Sequence, residues 1–156
     1  MPDVHTPAQR SFNMSRIRGK DTAPERMLQS LLRAEGVRFR ANVKTMPGKP
    51  DVILPAFRIA IFVHGCFWHR HRNCRFTTNP KSNPQFWKSK FARTIERDRE
   101  NFRALKKLGW RPMIIWECAI REKSTAVRYK LRLAVKTAKL KLSSRLSSTA
   151  SLVRRN

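Results

Sequence analysis

The chain predicts an α/β (α+β) fold: a mixed central sheet flanked by helices, in the order α-β-β-β-α-β, then a C-terminal basic helix. Three observations predict it. Two stretches, DTAPERMLQSLLRAEG and FWKSKFARTIERDRENFRALKKLG, repeat apolar side chains at helical spacing and stop at glycine. Short apolar runs, DVILP, FRIAIFV and WRPMIIWE, are cut off by proline, glycine or charge and read as strands. Helical and strand patterns alternate along one chain of 156 residues, 40% hydrophobic, enough for a single domain with its own core.

Each element has a local reason. Residues 1–20 are polar and basic without periodicity and predict an arm that orders on a partner. Thr22 and Glu25 have capping-box spacing, Pro24 suits a first turn, and Met27, Leu28, Leu31 and Leu32 form a stripe that ends at Gly36. This predicts a helix over about 23–35. VRFRANV alternates as a strand does. DVILP and FRIAIFV are close enough to pair as a hairpin across Pro55-Ala56, and the second is apolar enough to be central. In the long helix Phe91, Ile95, Phe102 and Leu105 share a face, and Gly109 closes it. WRPMIIWE is a fourth strand, running to Cys118. Val127, Leu131, Val135, Ala138 and Leu142 mark one side of a last helix, after which SSRLSSTASLVRRN should fray. The expected organisation is an arm (1–20), a core (21–120) and a basic helix with a frayed tail (121–156).

Charge narrows the partners. Thirty-five basic and ten acidic residues give +25. Eleven of the basic residues and one acid, Glu122, lie in 121–156, so residues 1–120 keep +15. A surface this cationic invites a polyanion, above all nucleic acid. No apolar run approaches the roughly 20 residues that span a bilayer, and the N-terminus has no apolar signal region. The expectation is a cytoplasmic protein with reduced thiols.

Chemistry concentrates in VHGCFWHRHRNC, residues 63–74, which holds three of the four histidines and two of the three cysteines. Cys66, His71 and Cys74 have close-range ligand spacing, and Cys118 supplies a fourth ligand for a closed, structural Cys3His zinc site. By spacing alone His69 fits in place of His71, and Cys118 also reads as a core thiol. His64 and His69 then lie near Asp51 if the second and third strands pair. A carboxylate holding Mg²⁺ beside a neutral imidazole is a phosphodiester-cleaving set, although a strand-start role explains Asp51 equally. Asp98 is an acid on the apolar face of the long helix and needs a partner, either an imidazole or a neighbouring Arg97 or Arg99. Glu25 is accounted for by capping. Phe67 and Trp68, between the proposed ligands, and Trp87 with Phe86, at the helix start, suit packing and base stacking alike.

FVHGCFWHRH, PGKPD, ERDR and WEC together resemble the very short patch repair (Vsr) endonuclease family, over about three quarters of the chain. The resemblance implies a restriction-endonuclease-like core and Mg²⁺-dependent nicking 5′ to the T of a T:G mismatch, the product of 5-methylcytosine deamination. It implies Asp51 and the Val63 carbonyl as Mg²⁺ ligands, and His69 as general base oriented by Asp98. His64 would assist near the phosphate, and Glu25 would lie in the active centre. Cys66, His71, Cys74 and Cys118 would bind zinc. Phe67, Trp68 and Trp87 would enter the DNA stack, and the arm around Met14 would reach the opposite groove. Implied partners are double-stranded DNA with a T:G mismatch and other mismatch-repair proteins, with the enzyme a monomer. The chain departs from the family pattern in one added residue, Asn73, before Cys74, and in a tail that is basic where the family's helix is more acidic. Composition alone also allows a noncatalytic, zinc-containing nucleic-acid-binding protein.

Overall fold

The computed structural model describes Thr6, Ala8, Gln9, Phe12 and residues 21–153, with side chains up to residue 144. The rest of the expected arm, Met14 included, lies outside the described residues.

Helix α1 (Ala23–Ala34) begins on Thr22, whose hydroxyl oxygen accepts from the Glu25 N–H. The Glu25 carboxylate reaches back, accepting from the Asp21 N–H at 2.7 Å and the Thr22 hydroxyl at 2.8 Å. It ends in a Schellman turn, with the N–H of Gly36 donating to Arg33 and that of Val37 to Leu32. Leu28 and Leu32 are fully buried, while Met27, expected on the same stripe, is 38% exposed.

The sheet holds four strands: β1 (Arg40–Ala41), β2 (Val52–Leu54), β3 (Ile59–His64) and β4 (Arg111–Trp116), in that order across it. β1 and β2 pair antiparallel, as do β2 and β3, and β3 pairs parallel with β4. The expected strand over VRFRANV shrinks to two residues, because Asn42 turns the chain at φ +54° while donating its N–H to the Asp51 carbonyl. β2 and β3 form the expected hairpin through a four-residue link. The link is a 3₁₀ turn (Pro55–Phe57) closed by Arg58 in the left-handed region. β3 is central and almost wholly buried.

Helix α2 (Pro84–Lys107) covers one face of the sheet, packing Leu105 and Phe102 against Ile53, Ala60 and Phe62. The other face is covered by α1 and by α4 (Ser124–Val153), which contributes Val127, Leu131 and Ala134 to the larger core cluster. Between β4 and α4 lies the short α3 (Glu117–Glu122), so β4 stops at Trp116 and Cys118 sits in a helical turn rather than on a strand. α4 is helical to Val153, through the segment expected to fray, and Leu142 is 45% exposed rather than part of its buried side. α4 runs antiparallel to β4. Lys130 Nζ donates to the Ile114 carbonyl, Arg111 donates to the Ala134 carbonyl, and Ala138 and Leu142 reach Arg58 and Gly109. Its N-terminal end thus lies toward the carboxyl ends of β3 and β4, and its later turns toward their amino ends. Among the described residues no helix is long and apolar enough to cross a membrane.

Candidate active site

β3 and the start of β2 deliver the acidic and imidazole side chains to one edge of the sheet. Asp51 precedes β2, and its Oδ2 accepts the Val63 N–H at 2.7 Å, which holds the carboxylate over the end of β3. His64 ends β3 with 4% exposure. In the loop that follows, His69 lies face to face with His64, ring centroids 3.6 Å apart and 16° from parallel. His69 Nδ1 lies 2.5 Å from Asp98 Oδ2 on α2. Asp98 therefore meets an imidazole; of the arginines weighed as its partners, Arg99 pairs with Glu96 and Arg97 lines the cleft. With Nδ1 directed at a carboxylate, the ring's orientation is fixed and Nε2 is the nitrogen left for other contacts.

These groups line a cleft of about 670 Å³ together with Glu25, Lys49, Val63, Arg97 and Asn101. Glu25 is 6% exposed, so it both closes the capping box and faces the cleft. Burial, reinforced by the nearby Glu25 charge, pushes the Asp51 carboxyl up to about 6 despite the Val63 hydrogen bond. Burial and the neighbouring His69 hold His64 down to about 4, so it is neutral at physiological pH. Lys49 follows a turn and carries no distinguishing signal in the sequence. Arg97, weighed there only as a partner of Asp98, faces the cleft instead.

The loop after β3 brings Cys66, His71, Cys74 and Cys118 together, their ligand atoms all within 4.8 Å of one another. His71 Nδ1 is 3.6 Å from Cys66 Sγ and 3.3 Å from Cys118 Sγ. A tetrahedral zinc ion would separate sulfur and nitrogen ligands by about 3.5 Å, so the donor set and its spacing fit that ion. His69, the alternative by spacing, is engaged with Asp98. Burial pushes the Cys66 thiol up to about 12, and a bound cation would oppose that by favouring the thiolate. Asn73, between His71 and Cys74, takes φ +52°, a conformation asparagine tolerates, and is exposed. The Thr77 hydroxyl lies 2.8 Å from the His71 carbonyl and its N–H donates to Cys74, which ties the loop's ends together. Trp116 joins the two sites: it stacks on His71 at 4.1 Å and meets the edge of His64 at 5.5 Å.

Phe67, Trp68, Trp87 and Phe91 pack edge to face and tilted, 5.1–6.0 Å apart, with the Arg70 guanidinium 4.3 Å above Phe91. They are half-buried, forming a surface cluster rather than core. Trp68 also lines an adjoining hollow of about 600 Å³ that shares Glu25 and Val63 with the cleft.

A family model described as DNA mismatch endonuclease Vsr matches residues 2–75. The DNA mismatch endonuclease Vsr of Escherichia coli K12 is 46% identical over 121 residues, 78% of this chain and 77% of that protein. The chain belongs to the Vsr family. Other relatives are the type II nicking enzymes V.NmeAIP of Neisseria meningitidis and V.XorIIP of Xanthomonas oryzae. They are 40% and 41% identical over 80% and 77% of this chain, and each is covered over 88% of its own length. The mixed four-stranded sheet flanked by helices accords with the restriction-endonuclease-like core expected of a Vsr protein.

Proposed function

We propose that the chain is a Mg²⁺-dependent DNA endonuclease that nicks one strand 5′ to the T of a T:G mismatch, opening very short patch repair in the bacterial cytoplasm. The observation that carries this reading is the meeting of Asp51, His64 and the His69–Asp98 pair in one cleft beside a Cys3His cluster. The relatives named as a mismatch endonuclease and as nicking enzymes support it.

In this reading Asp51 and the Val63 carbonyl hold Mg²⁺, which when bound supplies positive charge to the scissile phosphate. His69 takes the proton of the attacking water on Nε2, while Asp98 retains Nδ1–H and steadies the imidazolium that forms. His64, neutral and stacked on His69, fixes that ring and offers a hydrogen bond toward the phosphate. Cys66, His71, Cys74 and Cys118 hold structural zinc, which orders a loop with little apolar core of its own. Phe67, Trp68 and Trp87 enter the stack at the mismatch. A wobble pair resists unstacking less than a matched step, so deformability selects it. The segment around Met14 contacts the opposite groove. Lys49 and Arg97 face the cleft as phosphate contacts. No observation favours noncatalytic binding, since nothing in that role requires a half-buried histidine–aspartate pair.

The test is a panel of matched and mismatched duplexes, with the cut position mapped, in Mg²⁺ and in EDTA. T:G duplex should be nicked 5′ to the T in Mg²⁺ alone. His69→Ala should slow nicking by about 10²–10⁴-fold, and Asp51→Ala should abolish it while binding persists. Undiminished cutting by Asp51→Ala, or no T:G preference in the wild type, would overturn the reading.

A further inference from the structure

The positive charge of the later turns of α4, Lys136, Lys139 and Lys141, lies at the wrong end of the molecule to serve the cleft. The cleft opens at the His64 end of β3, whereas α4 runs back past Ile114 and Ala134 to Arg58 and Gly109. β3 alone separates the two ends by about 17 Å at roughly 3.3 Å per residue. Beyond Leu142 the helix continues to Val153, about 17 Å further at 1.5 Å per residue.

At that distal end two hollows flank α4. One, of about 500 Å³, is lined by Arg38, Lys136 and Lys139 among others; the second, of about 170 Å³, by Arg58, Arg111 and Lys141. The two share Ala56 and Phe57, so α4 crosses a saddle with cations on both flanks. Among the described residues the single acid lining either hollow is Glu35, already held by Arg128 at 2.8 Å and Arg132 at 2.5 Å. Arg38, Lys136, Lys139 and Lys141 have no acidic partner among the described residues, and all four are exposed.

We propose that this distal saddle is a second DNA-backbone site, occupied by a DNA segment other than the one in the cleft. The charge is drawn from four separate stretches of chain that the fold brings together: the turn after α1, the β2–β3 link, the start of β4 and α4. Phosphates are the anions that such a dispersed set matches. A lipid surface would need a continuous apolar strip. The outward apolar residues of α4, Tyr129, Leu133, Leu140 and Leu142, are instead interrupted by the exposed Lys136, Lys139 and Lys141. The site goes beyond the nicking reaction and does not depend on it: one molecule would hold two duplex segments at once.

The experiment is a capture assay in EDTA with the full chain. A short T:G duplex is immobilised and loaded with protein, and a labelled matched duplex is added. Wild type should retain the labelled duplex. Lys136→Gln/Lys139→Gln/Lys141→Gln, which keeps helix-forming side chains, should retain at least about fivefold less, and its salt dependence should be shallower by up to about three phosphate contacts. Nicking of the short T:G duplex in Mg²⁺ should stay within about twofold of wild type, which separates failure of this site from failure of the cleft. The proposal is overturned by any of four results: no capture by wild type, equal capture by the variant, nicking lost in step with capture, or two protein copies per bridged pair. It is also overturned if the variant loses binding to phosphatidylserine vesicles but keeps capture.

Discussion

Asp51 is held in a condition unfavourable to a carboxylate. Burial beside Glu25 raises its pKa from 3.8 to about 6. The folded protein therefore keeps a proton that the unfolded chain has released. Its contribution to stability is present below about pH 4 and is lost as pH rises to about 6. His64 acts in the opposite sense. Its pKa falls from 6.5 to about 4, so the stability it protects is present above pH 6.5 and is lost as pH falls toward 4. Between about pH 4 and 6 the two offset each other. Asp51→Asn, measured by urea unfolding in EDTA, should stabilise the fold by roughly 1–3 kcal/mol at pH 7–8. The gain should vanish near pH 4, and nicking should be lost with it. A variant no more stable than wild type at pH 8 would show that the carboxylate is not strained by burial.

At the scale of elements, the loop from Gly65 to Thr77 has few apolar contacts of its own beyond the aromatic cluster. It is tied to α3 by Cys118 and to α2 by the His69–Asp98 contact. Cys118→Ser should reduce metal content from about one zinc per chain to near none. It should also cost several kcal/mol of folding stability, since structural metal binding is folding energy. A stable, metal-free and active variant would overturn the assignment. Much of this region was legible in the sequence because the signals are local: Thr22-x-x-Glu25 starts a helix by its own hydrogen bonds, and three cysteines imply a shared ligand set. The choice between His69 and His71 was not legible, because only the folded loop directs one ring at Asp98 and the other at the thiols. Nor was the shortness of β1, which depends on Asn42 adopting a positive φ, or Cys118's place in α3 rather than on β4.

For the molecule as a whole, the C-terminal helix is core as well as charge. Val127 and Leu131 are 3% and 2% exposed, and burying two such side chains contributes roughly 3–6 kcal/mol. That is comparable with the ~5–15 kcal/mol that holds a domain together. Ending the chain at residue 120 should therefore abolish cooperative unfolding in a thermal melt, whereas ending it at 144 should leave the transition nearly unchanged. A cooperative melt from the 120-residue form would show that α4 is an appendage. The sequence displayed this helix as a basic stretch with one apolar side; that the apolar side completes a core shared with α1 and the sheet required the tertiary fold.

The place of Trp116 has a further consequence. Its indole lies flat on one imidazole and edge-on to another, so four aromatic rings form a chain of contacts, with one near-perpendicular step, from the thiol cluster to Asp98. Such a chain transmits tilt. If the thiol cluster holds zinc as proposed, removing that ion would free His71 to swing, and His69, the proposed general base, would lose its register while the hydrophobic layers were still intact. Inactivation by a chelator should thus run ahead of melting, a lag between dead and unfolded that is set by one indole.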